Sequence, residues 1–138
     1  MKKYKFSILA LAILLCFSVT ACSENDRTSS DLLIPENITS VELGGGQYNG
    51  GWVEPRELSQ TEIEDLNTWV SQLSLIHKIF EKGNSPSDFA GGTAYTFNFN
   101  GDETSFSWVD IGTEQYVHYE DEWYEIIDTS DAPLGLPS

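Results

Sequence analysis

From Thr93 to Asn100 the side chains alternate one for one, with Tyr95, Phe97 and Phe99 on one side and Ala94, Thr96 and Asn98 on the other. A period of two over this length specifies a strand with one buried face. Asn100-Gly101-Asp102 follows, and these residues accept the positive φ that a tight hairpin demands. A two-residue loop at either Asn100-Gly101 or Gly101-Asp102 pairs odd positions of the first strand with even positions of the second. Phe106 and Trp108 then join the three earlier aromatics on a single face. A second hairpin is expected from Gln115 to Tyr119 and Trp123 to Ile127, joined through Glu120-Asp121-Glu122. The same parity puts Val117, Tyr119, Tyr124 and Ile126 on the inner face and Tyr116, His118, Trp123 and Glu125 on the other.

A helix is expected upstream, over about residues 60 to 82. Ser59 stands three residues before Glu62, the capping-box spacing in which each side chain satisfies the other's backbone N–H. Ile63, Leu66, Trp69, Val70, Leu73, Ile76 and Phe80 recur at intervals of three and four and so form one apolar stripe. Acidic Glu62, Glu64 and Asp65 near the start and Lys78 and Lys82 near the end suit the helix dipole. Gly83 suits the left-handed position after the C-cap, and Pro86 blocks continuation. A first strand is expected over Asn37 to Leu43, ended by the glycines at 44, 45, 46, 50 and 51. That glycine-rich loop lacks the lysine and the GxxxxGK[ST] order of a phosphate cradle. The expected fold class is therefore α+β: one N-terminal strand and one amphipathic helix packed on a four-stranded antiparallel β-meander.

The amino terminus has a different character. Lys2, Lys3 and Lys5 precede an apolar run from Phe6 to Val19, interrupted only by Ser7 and Ser18. This has the layout of a signal-peptide h-region and is shorter than the roughly 20 residues of a spanning helix. The run ends in Val19-Thr20-Ala21-Cys22, which resembles the lipobox of bacterial lipoproteins. The resemblance implies removal of residues 1–21, a diacylglycerol thioether and palmitate on Cys22, and attachment to the cell membrane or outer membrane after export. Residues 22–36 then read as the lipidated cysteine and a flexible tether, and residues 37–138 as a single domain. The mature part looks like small uncharacterised lipoproteins of bacterial envelopes, and more loosely like secreted inhibitor domains in which a helical segment packs on a four-stranded sheet.

Cleavage at that point would discard Cys16 and three lysines, leaving Arg27, Arg56, Lys78 and Lys82 against 22 acidic residues, a formal charge of −18. Such a surface repels nucleic acid and anionic headgroups and favours cationic partners. With Cys22 acylated, no thiol remains for a Cys/His nucleophile, and no serine sits in a G-x-S-x-G elbow. Glu120-Asp121-Glu122 lacks the residue order of a calcium loop, so no metal or other cofactor is expected. His77 reads as a dipole partner in the last helical turns. These residues point to a non-catalytic, lipid-anchored module whose exposed sheet face, with Tyr116, His118, Trp123 and Glu125, binds a protein, a peptide or a cationic ligand. The alternatives are a small hydrolase using paired carboxylates, for which 22 acidic residues supply pairs by abundance alone, and a purely structural envelope lipoprotein.

Overall fold

In a computed structural model, residues 27–48, 50–81, 85–86, 92–128 and 130–138 are described. Cys22, the leader before it and the first residues of the expected tether lie outside them. The described chain runs through β1 (Arg27–Thr28), a 3-10 turn (Ser30–Leu33), β2 (Val41–Tyr48), β3 (Gly51–Val53) and β4 (Arg56–Glu57). It continues through helix α1 (Gln60–Ser71), β5 (Leu75–Lys78), β6 (Thr93–Phe99), β7 (Thr104–Asp110), β8 (Gln115–Tyr119) and β9 (Glu122–Ile126), and ends in a 3-10 turn at Pro133–Gly135.

These strands form one nine-stranded antiparallel sheet in the order β1-β5-β9-β8-β7-β6-β2-β3, with β4 also paired to β2. The expectation of an α+β domain with a four-stranded meander is thereby corrected: the architecture is nearly all-β, with a single short helix among the described residues. Both hairpins are present within the larger sheet. Phe99 pairs with Thr104, so the first loop spans Asn100 to Glu103 rather than two residues, but the frame is the one that pairs Phe97 with Phe106 and Tyr95 with Trp108. All five aromatics of that face are buried. In the second hairpin Tyr119 pairs with Glu122, leaving Glu120 and Asp121 as the loop. Both have positive φ (48° and 62°), the left-handed pair that a type I′ turn requires.

Two expectations fail for one reason, the demands of strand pairing. The helix stops at Ser71 rather than near residue 82, with Gln72 as its C-cap. Beyond it Leu75 pairs with Ile126 and Ile76 with Glu125, and the Ile127 N–H bonds to the Ser74 carbonyl at 3.0 Å. Leu73, Ile76 and Phe80 satisfy a helical period, but β9 would otherwise keep an open edge, and Asn67, Thr68, Ser71 and Ser74 add little helix propensity to hold the longer form. The capping box itself is present: Ser59 Oγ accepts from the Glu62 N–H, and the Glu62 carboxylate accepts from the Ser59 N–H at 2.9 Å.

Likewise β2 begins at Val41 and runs straight through Gly44–Gly46, which were expected to end it. A bulge lies between Leu43 and Gly46, with Gly45 at φ +92°. A Cβ on Gly46 would stand 2.1 Å from Tyr95 Cδ1 and 2.5 Å from the Ala94 carbonyl oxygen. These glycines let a neighbouring ring and backbone come close to the strand rather than breaking it.

The core fills one face of the sheet. Val41, Leu43, Phe97, Phe99, Phe106, Trp108, Val117, Leu75 and Ile126 meet Ile63, Leu66 and Val70 of α1 in one cluster, with Ala132, Leu134 and Leu136 packed against it. Leu33 joins it, and β1 pairs with β5, so part of the segment read as tether is packed into the fold. The C-terminal tail is fixed by polar contacts. The Gln115 amide donates to the Ser130 carbonyl at 2.8 Å and accepts the Ser130 N–H at 3.0 Å. Trp69 Nε1 donates to the Asp131 carbonyl at 2.9 Å, and the Tyr95 hydroxyl to the Pro137 carbonyl at 2.5 Å. Among the described residues no helix is long and apolar enough to cross a membrane.

Candidate functional site

Side chains alternate across a strand, so the residues between the core positions define the opposite, outer face. On β8 and β9 the register sets Tyr116 opposite Glu125 and His118 opposite Trp123. All four residues anticipated there do share a face. Next to β9, Ile76 lies opposite Glu125 and Lys78 opposite Trp123. Next to β8, Val109 lies opposite Tyr116 and Ser107 opposite His118.

The rings form a connected group. His118 lies against Trp123 with centroids 4.5 Å apart at 31°, and Tyr116 meets Trp123 edge to face at 6.4 Å and 89°. Phe80 reaches over the same face, 5.6 Å from Tyr116 and 6.1 Å from Trp123. Tyr116 is consequently only 5 % exposed, whereas His118, Trp123 and Glu125 are half-buried. The Tyr116 hydroxyl donates to Glu114 Oε2 at 2.5 Å. Burial first, and this carboxylate second, push its phenol well above the usual range, so Tyr116 stays neutral. Lys78 forms an ion pair with Glu125, and Thr96 Oγ1 shares a hydrogen bond with Ser107 Oγ at 2.8 Å beside His118.

Phe80 and Lys78 belong to this group although the helical period assigns them to a helix. Nothing in their local sequence distinguishes a helix end from a paired strand followed by a crossing aromatic. His77, expected in the last helical turns, is instead on β5, with Nε2 2.6 Å from Glu122 Oε2 and its ring 5.5 Å from Tyr124.

Elsewhere on the outer face a cleft of about 270 Å³ lies between Glu42, Glu57, Asn98 and the first hairpin loop at Gly101 and Asp102. A second, of about 260 Å³, lies on the helix side, between α1 and the first 3-10 turn, and is lined by Asp31, Ile34, Asn67, Val70 and Ser71. The carboxyl group most displaced from ordinary behaviour lies in neither. Glu62 is held at about 2, first by the Arg56 guanidinium and then by the Ser59 N–H, and both its oxygens are occupied in the helix cap. Among the described residues no group of three or more His, Cys, Asp and Glu side chains is arranged to hold a metal ion. No protein-family model, curated protein or solved structure matches the chain.

Proposed function

We propose that the protein is a lipid-anchored, non-catalytic binding module of the bacterial envelope, held to its membrane through Cys22. Its outer sheet face around His118, Trp123 and Glu125 receives a peptide or protein partner bearing positive charge. The observation that carries the reading is the His118–Trp123 pair, rings 4.5 Å apart and half-buried on the face that the core does not use. A rigid aromatic platform of this kind contributes contact area at low entropic cost. The charge supports the choice of partner: 22 acidic residues stand against seven basic ones in the whole chain, and Lys78, a cation in the patch, is already engaged by Glu125. The lipobox order Val19-Thr20-Ala21-Cys22 supports the anchor.

Titration of the chain with short basic peptides, against acidic peptides of equal length, tests the binding face. The basic series is expected to shift the Trp123 indole resonance with a Kd that weakens as salt is raised, and Trp123→Ala to abolish binding while leaving cooperative unfolding in place. Equal response to acidic peptides would sink the electrostatic part. For the anchor, mass spectrometry should find diacylglycerol on Cys22, and Cys22→Ser should move the protein out of the membrane fraction. A Cys22→Ser protein that stays membrane-bound would remove the lipid anchor from the reading.

A further inference from the structure

Tyr116 and Trp123 already receive a ring from outside their own strands. Phe80 lies two residues beyond the end of β5, after an Ile79 that is 87 % exposed, and it belongs to no strand. It meets Tyr116 at 68° and Trp123 at 84°, while those two meet each other at 89°. Each pair is thus in or near the edge-to-face arrangement that ring quadrupoles favour. The site therefore has the shape and chemistry to hold one aromatic side chain, and an intramolecular one occupies it. Carboxylates border this face: Glu114 is bonded to the Tyr116 hydroxyl, Glu125 pairs with Lys78, and Glu120 and Asp121 form the adjoining hairpin loop.

We propose that Phe80 is an internal stand-in for an aromatic residue of the partner. The partner segment is basic, and its ring takes the place of Phe80 against Tyr116 and Trp123 while its lysine or arginine neighbours meet Glu114, Glu120 and Asp121. This rests on the outer face being the binding surface, and adds to it both the chemistry of the ligand and a built-in competitor. A competitor that fills its site nine-tenths of the time weakens apparent affinity about tenfold. Removing Phe80 should therefore strengthen binding, the opposite of what deleting an ordinary contact residue does.

The test uses the intact chain, labelled with nitrogen-15, and follows the Trp123 indole N–H, identified by its loss in Trp123→Phe. The probes are acetyl-Lys-Phe-Lys-Arg-amide, its Phe-to-Ala counterpart and acetyl-Glu-Phe-Glu-Glu-amide. Phe80→Ala is expected to bind the first probe roughly tenfold more tightly than wild type, Phe80→Leu to fall between, the Phe-to-Ala probe to bind all three proteins more weakly and with no gain on removing Phe80, and the acidic probe not to bind measurably. Unfolding of Phe80→Ala alone leaves Phe80→Leu to carry the comparison. Loss of the fold in both variants would show Phe80 to be a core residue and overturn the proposal. Folded variants that bind the basic aromatic probe no better than wild type would overturn the stand-in while leaving the binding face intact. Absence of any shift at Trp123, in every variant and with every probe, would overturn the binding face as well.

Discussion

Replacing Gly46 by alanine adds one methyl group to an interior with no room for it. The new Cβ would lie 2.1 Å from Tyr95 Cδ1, 2.7 Å from Cε1 and 2.5 Å from the Ala94 carbonyl oxygen, where carbon atoms settle at about 3.5 to 4.0 Å. Relief requires the ring to move by well over 1 Å, and it is held on several sides. Tyr95 is fully buried, stacked on Trp108 at 6.1 Å and 4°, and bonded through its hydroxyl to the Pro137 carbonyl. The other clash is with backbone that pairs Gln47 with Ala94, so it yields only if the β2–β6 ladder opens. Overpacking in a core costs about 1 to 3 kcal/mol, and a site with two immovable neighbours belongs at the upper end, about 3 kcal/mol. In a domain of this size that lowers Tm by about 10 °C.

Equilibrium unfolding in urea, followed by tryptophan fluorescence, measures the loss. Gly101→Ala is the control: it sits at φ +71° in the first hairpin loop with open space around its would-be Cβ, so it bears backbone strain of about 1 kcal/mol and no collision. A Gly46→Ala protein no less stable than Gly101→Ala would refute the close packing of β2 over Tyr95. Coupling to Tyr95→Leu gives a second check, since a smaller side chain should recover part of the loss in the double variant.

Three further outcomes are expected. Phe97 is fully buried between β2 and β7, and Phe97→Ala should cost about 3 to 5 kcal/mol in the same assay; a loss well under 1 kcal/mol would mean that the odd positions of β6 do not face the core. Glu120 and Asp121 both occupy the left-handed region, where Asn-Gly fits better, so the double replacement Glu120→Asn with Asp121→Gly should raise stability by about 1 kcal/mol; no gain by thermal unfolding would argue against the type I′ loop. The Glu62 carboxyl is lowered to about 2 in the folded chain, chiefly by Arg56 and next by the Ser59 N–H, so its stabilisation is fully present above the unfolded value near 4.5 and is lost as pH falls through 2. With side-chain exposures of 30 % for Glu62 and 44 % for Arg56, solvent screening limits it to about 1 kcal/mol, and Glu62→Gln should show that deficit in full at pH 7 and only a fraction of it at pH 2, where the folded carboxyl is half protonated.

What could be read from the chain was local in origin. Tyr95, Phe97 and Phe99 alternate within one strand, and Asn100, Gly101 and Asp102 all adopt the positive φ that their side chains tolerate, so both the hairpin and its buried face follow from short-range rules. The same parity placed Tyr116, His118, Trp123 and Glu125 together. The second half of the expected helix was illegible because Leu73, Ile76 and Phe80 satisfy a period of 3.6 although only Leu75–Lys78 of that stretch pairs as a strand, and the deciding contact, with β9, lies far along the chain. Gly44–Gly46 posed the same difficulty, since glycines that end a strand and glycines that admit a ring differ only in what lies opposite, here Tyr95. Phe80 was missing from the candidate site for that reason too: its place depends on where β5 ends.

The two faces of the sheet divide structure from recognition. On the inner face α1 and the tail leave little for a partner: Gln115 spends its amide on both backbone atoms of Ser130, Trp69 holds Asp131, and Tyr95 holds Pro137. Opening that face would break these bonds and expose Phe97, Phe99, Phe106 and Trp108 together, which amounts to unfolding. Among the described residues the outer face has no such closure along β8 and β9, where His118 and Trp123 are half-buried and one ring from outside the two strands, Phe80, lies against Tyr116 and Trp123. Contacts between rings of about 0.5 to 1.5 kcal/mol can be exchanged without cost to the core. Substitutions on the two faces should consequently separate: Phe97→Ala lowers stability and carries binding down with it, whereas Trp123→Ala lowers binding and leaves most of the stability in place.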